Sequence, residues 1–186
     1  MEVAKDWLVT FSRIVVKPSP QTFVAEAQKA KGKFASAIAW VAFTAVVVQL
    51  IIYNLGGFFS LSKLIKAFLF TPIVFLFFVF CMHNFYQKFF GKKKYYDEEM
   101  LYLSVGIFAP FVLAGFLVTY IPVVGGVLSW IALVYPVILT VIAVTAITKL
   151  KIWQSVIVVF SSLVLATIGY FIIPALILSL MSSTRF

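Results

Sequence analysis

One cysteine and one histidine occur in the chain, Cys81 and His83, two positions apart. A thiolate and an imidazole both bind zinc, but a structural zinc site takes about four ligands. With no further Cys or His, this chain alone does not complete such a site, and it forms no intramolecular disulfide. Hydrolysis by a nucleophile, base and acid would have to use His83 as base. Near the end of a long apolar run, His83 reads instead as an interfacial polar residue. The only clustered carboxylates are Asp97, Glu98 and Glu99. They follow Lys92, Lys93 and Lys94, so their simplest role is to neutralise those lysines; a docking surface for a partner is the other. Gly56-Gly57 and Gly125-Gly126 lack the residues of a phosphate-cradling loop and read as turn glycines. The expectation is a protein with no catalytic residues, no metal and no cofactor.

The elements that would position any site are set by composition. Of 186 residues, 63% are hydrophobic and 11% charged, and the mean hydropathy is +1.11. A soluble domain is about half apolar and a quarter charged. A soluble enzyme, a disordered chain and a secreted disulfide scaffold are all disfavoured. Runs without Asp, Glu, Lys or Arg extend from Phe34 to Ser62, Ala67 to Gln87, Met100 to Thr148 and Ile152 to Thr184. Each is long enough to cross a bilayer as a helix, the form that satisfies its own backbone hydrogen bonds in lipid. The third run is too long for one span, and Pro122 with Gly125-Gly126 divides it. The expected fold is therefore all-α: an integral membrane bundle of five transmembrane helices, at about 34–53, 65–86, 101–120, 127–148 and 152–180. Pro174 should kink the last span, or that span's lipid-embedded part should end at Ile173. Residues 34–182 form the membrane domain and residues 1–33 a preceding segment. The spans carry almost no ionisable groups, which proton relays and ion pathways require.

Residues 1–33 show a different pattern. No cleavable signal peptide is expected, because Ser12 and Arg13 interrupt the first apolar stretch. At 100° per residue, Val3, Ala4, Trp7, Leu8, Phe11, Ile14 and Val15 share one helical face. Glu2, Lys5, Asp6, Thr10, Ser12 and Arg13 take the other. Such an amphipathic helix either lies at the headgroups, with Trp7 and Phe11 as lipid or partner contacts, or packs against the other helices; the two are compatible. Ser19 is the expected cap of a second short helix opening at Pro20.

Twelve of the fifteen Lys and Arg residues fall on one side of a five-span chain, as do all six carboxylates. Positive-inside bias then puts the N-terminus in the cytoplasm and the C-terminus outside. The same bias accounts for the net charge of +9 without nucleic acid. After the second span, Lys92, Lys93, Lys94, Tyr95 and Tyr96 combine lysines with interfacial aromatics, a pattern that sets topology or contacts anionic lipid or a partner. Small residues at Ala35 and Ala39, Ser162 and Ala166, and Gly106, Ala114 and Gly115 allow close helix approach.

Several short stretches resemble the Yip family, the Rab/Ypt-interacting Yip-domain membrane proteins. They are Lys17-Pro18-Ser19-Pro20-Gln21-Thr22-Phe23, Ala109-Pro110, Ile121-Pro122-Val123-Val124-Gly125-Gly126, and Trp130 to Ile157 with Tyr135 and Lys149-Leu150-Lys151. The resemblance implies five helices, a cytoplasmic N-terminus and no known enzymatic chemistry. Eukaryotic members are linked to Rab GTPases and vesicle traffic. This chain lacks their long hydrophilic N-terminal region and their Asp-Leu-Tyr-Gly-Pro type motif, which argues against a Rab-type GTPase as partner. It is more similar to the compact prokaryotic members, which implies a bacterial inner membrane. The expected function is that of a non-enzymatic scaffold or accessory subunit acting through membrane lipids and other membrane proteins. A small transporter or channel component is the alternative.

Overall fold

The computed structural model describes residues 2–55, 60–90, 97–119, 121 and 125–183. These residues form α1 (Glu2–Val16), α2 (Pro20–Ala27), α3 (Phe34–Asn54), α4 (Leu61–Phe89), α5 (Asp97–Thr119), α6 (Gly125–Thr148) and α7 (Ile152–Ser183), with one 3-10 turn at Gln28–Ala30. No strand occurs among them. The Lys92–Tyr96 stretch lies outside the described residues.

Local chemistry sets the helix ends. The Ser19 side chain accepts from the Thr22 N–H at 3.2 Å, with Pro20 at the first helical position of α2. Pro has no N–H to leave unsatisfied there. Ser60 caps α4 in the same way, so that helix starts four residues before the expected boundary at 65. Gly32 takes a φ of +76° in the turn before α3, a conformation open to glycine at no steric cost. The backbone of α7 stays helical past Pro174 to Ser183, and its membrane-length apolar stretch runs from Ile152 to Ile172.

Among the described residues, four helices are long and apolar enough to cross a membrane: α3, α4, α6 and α7 over residues 152–172. Such a set of helices is compatible with a multi-pass membrane protein. With α5 they close a ring in the order α3, α5, α6, α7, α4 and back to α3. Lys33 lies 5.8 Å from the Tyr102 ring centroid, and Phe90 meets Trp153 edge-on at 6.0 Å. The starts of α3, α5 and α7 therefore share one end of the bundle with the finish of α4.

Every residue of α5 from Met100 to Ile107 is buried. A helix apolar on all sides must be surrounded, and here α3, α4 and α6 leave a gap that α1 and α2 fill. One core cluster joins Trp7, Ala37, Val41, Phe78, Met82, Tyr86, Tyr102 and Val158. A second joins Ile14, Phe23 and Ala27 to Leu103, Ile107, Leu139 and Ala143.

Two face assignments are corrected. Ala35 and Ala39 are exposed, and α3 instead buries Ala37, Val41, Ala45 and Val48. In α1, Thr10 is buried and Leu8 is 55% exposed, the reverse of the sequence assignment. A threonine fits that interior because partners for its hydroxyl are waiting there. Ser162 and Ala166 are buried in α7 as their spacing suggests.

Candidate functional site

A cluster of hydrogen-bonded polar side chains lies where α1 and α2 meet α5. Thr10 faces the bundle because it shares a helical face with Trp7 and Ile14, all three being buried. Its Oγ1 donates to Glu26 Oε2 at 2.9 Å and lies 2.9 Å from Tyr102 Oη. A threonine hydroxyl has a single proton, so the tyrosine is the donor in the second contact. The relay runs from Tyr102 to Thr10 to Glu26. Lys29 Nζ reaches Glu26 Oε1 at 2.6 Å, and Arg13 Nη1 reaches the same oxygen at 3.3 Å.

Glu26 is 2% exposed. Burial pushes its carboxyl up, but hydrogen bonds from Lys29, Thr10 and Arg13 and the Lys29 charge outweigh this and hold it below its ordinary value. It stays ionised, as a buried charge with three donors can. Nearby, Lys33 Nζ donates to Asp6 Oδ2 at 3.0 Å. That bond lowers the Asp6 carboxyl and raises the Lys33 ammonium. Asp6 is largely exposed, so the pair adds register more than stability.

Trp7 and Phe11 both sit against the protein. Trp7 is 2% exposed, its ring 4.5 Å from Tyr102 and stacked on Trp40 at 6.4 Å. Phe11 packs edge-on against Phe111 at 5.8 Å. At the far end of α1, Tyr135 Oη donates to the Val15 carbonyl at 3.0 Å. Lys92, Lys93, Lys94, Tyr95 and Tyr96 lie outside the described residues. Thr10, Glu26 and Tyr102 were missed in the sequence. The signal for Glu26 was present, since a lone carboxylate between Arg13 and Lys29 on two adjoining short helices invites pairing.

Cys81 is buried and His83 half-buried within α4, and no group of three His, Cys, Asp or Glu able to hold a metal occurs among the described residues. A cavity of about 540 Å³ opens between α5, α6 and α7, lined by Phe108, Phe111, Gly115, Ala132, Pro136 and Leu163 among others. Its polar members, Ser129 and Thr167, donate to carbonyls of their own helices. Comparison of the chain with protein-family models, curated proteins and solved structures finds no match.

Proposed function

We propose that the chain is a non-enzymatic membrane scaffold or accessory subunit, built from five spans and an N-terminal helix pair locked onto them. The fifth span is α5. Its first turn carries Asp97, Glu98 and Glu99, but no charge follows from Met100 onward, and it sits between two membrane helices in the ring. Twelve of fifteen cations on one side support a cytoplasmic N-terminus, and the resemblance to compact prokaryotic Yip-domain proteins supports a bacterial inner membrane.

The observation that carries this reading is how the polar groups are used. Tyr102, Thr10, Glu26, Lys29 and Arg13 bond to one another, and the bonds hold α1 and α2 to α5. Buried charge spent on fixing one arrangement of helices suits a protein whose product is a shaped surface. That surface comprises the outward faces of α1 and α2 and the segment that joins α4 to α5, and other membrane proteins and lipids are its partners. The resemblance to compact Yip-domain proteins agrees with this.

The test is co-purification in mild detergent with mass spectrometry, comparing wild type with Trp7→Glu/Phe11→Glu. Loss of defined partners while the bundle stays folded is the expected result. A chain that recovers the same proteins in both forms would reject the reading. Cysteines at 93 and 185 should label from opposite sides of the membrane; labelling from one side removes the five-span topology. The cavity between α5, α6 and α7 favours a second reading, a small transporter or channel component, whose mark would be solute flux in vesicles blocked by Gly115→Leu.

A further inference from the structure

We propose that the α1–α2 pair is a re-entrant wedge: it enters the leaflet on the lysine-rich side and reaches the depth of the bilayer centre. It does not lie flat at the headgroups. The inference rests on the membrane reading above and concerns a surface that reading leaves undefined.

Three independent rulers give the depth. The Lys33 end of α3 marks the membrane boundary, since α3 needs all of its 21 residues to cross. Asp6 is bonded to Lys33 there. From Asp6 to the end of α1 at Val16, a rise of 1.5 Å per residue gives about 15 Å. Along α5, Thr10 meets Tyr102, and four residues on Ile14 Cδ1 lies 3.3 Å from where a Cβ on Gly106 would sit, so α1 advances alongside α5. Glu99 to Gly106 is about 10 Å, and Val16 lies about 3 Å beyond Ile14. Along α6, the Val15 carbonyl meets Tyr135, about 20 Å from the helix end at Thr148. Half of a hydrocarbon layer of about 30 Å is about 15 Å. All three rulers place the hairpin tip near the midplane.

Several N–H groups of the tip are bonded within the protein. Pro18 and Pro20 have no N–H. The N–H groups of Lys17, Ser19, Thr22 and Phe23 bond to the Arg13 and Lys17 carbonyls, the Ser19 hydroxyl and the Ser19 carbonyl. Tyr135 serves the Val15 carbonyl, one of the groups a helix end leaves unpaired.

The outward surface fits a phospholipid of that leaflet. Leu8, Val9, Val16 and Val24 are 55%, 40%, 70% and 41% exposed and suit acyl chains. Arg13 and Lys17 are exposed beside them, while Asp6 and Glu26 are already paired with cations. A cation held at this depth draws phosphate and water inward and thins the bilayer locally. The wedge therefore displaces lipid in one leaflet only.

The test uses the full chain in phosphatidylcholine–phosphatidylglycerol vesicles, with Trp7, Trp40, Trp130 and Trp153 replaced by Phe. Single tryptophans are then introduced by Lys5→Trp, Val16→Trp or Phe43→Trp. Lipids brominated at different acyl positions report depth. Phe43 is 57% exposed, about 14 Å into α3, and marks the midplane. Val16→Trp should follow the Phe43→Trp profile, quenched several-fold better by mid-chain than by headgroup-proximal bromines, and Lys5→Trp should show the reverse. Val16→Trp matching Lys5→Trp while Phe43→Trp stays deep would overturn the wedge alone. A shallow Phe43→Trp would overturn the membrane reading with it. If the fourfold Phe background fails to fold, cysteine spin labels at 5, 16 and 43 read the same depths by oxygen and nickel accessibility. For the phosphate contact, Lys17→Gln should lower co-purifying phosphatidylglycerol several-fold; unchanged lipid would remove that part of the proposal.

Discussion

Replacing Glu26 by glutamine isolates the force that holds the helix pair in place. The wild-type carboxylate is 2% exposed and takes bonds from Thr10 at 2.9 Å, Lys29 at 2.6 Å and Arg13 at 3.3 Å. A hydrogen bond to a charged group contributes about 1.5–3 kcal/mol. Lys29 and Arg13 keep 40% and 58% of their side-chain surface uncovered by protein, where water and lipid phosphate screen them, so each pairing adds at most about 1 kcal/mol. Glutamine keeps the shape and can still accept from Thr10. The expected loss is about 2 kcal/mol, roughly 30-fold in the docking equilibrium. Alanine also leaves a void and should cost about 4 kcal/mol. Hydrogen exchange of α1 amides in reconstituted protein reads the opening free energy directly. In Glu26→Gln, α1 and α2 should lose protection while the core of α6 and α7 keeps it. Protection of α1 within about 0.5 kcal/mol of wild type would refute the argument, because the network would then contribute nothing net against its desolvation.

Trp7→Ala should cost about 3–5 kcal/mol of docking through lost contact with Trp40 and Tyr102, measured by the same exchange experiment. Acidification should act on the same contact: a carboxylate depressed in the folded state contributes fully above its unfolded value of about 4.5, and that contribution is lost as pH falls through the lower folded value. Exchange of α1 should therefore be level at neutral pH, after correction for intrinsic rates, and rise only in acid; in Glu26→Gln this rise should shrink to the part that Asp6, bonded to Lys33, contributes. Gly106→Leu should push Ile14 out of its seat, since even a Cβ there lies 3.3 Å from Ile14 Cδ1; about 1–3 kcal/mol of overpacking is expected, seen as partial release of α1 with α5 intact. Lys149→Gly should raise thermal stability slightly, as Lys149 ends α6 at a φ of +56°, where glycine avoids about 1 kcal/mol of strain.

What was legible in the sequence was one-dimensional. Charge-free runs located α3, α6 and the apolar stretch of α7 to within a few residues, because the cost of burying a charge in lipid acts on each span separately. The Pro-Ser-Pro pattern placed the start of α2, because a cap is satisfied by residues three apart. What encloses α5 was decided by tertiary structure. A periodic apolar face states only that something covers α1, and lipid and protein present the same apolar surface to a sequence. Thr10 read as polar and outward, Leu8 as inward; Glu26 and Tyr102 reversed both by supplying partners 16 and 92 positions away. Pairing across such distances has no periodicity to betray it, and so the docked helix pair exists only at the level of the folded chain.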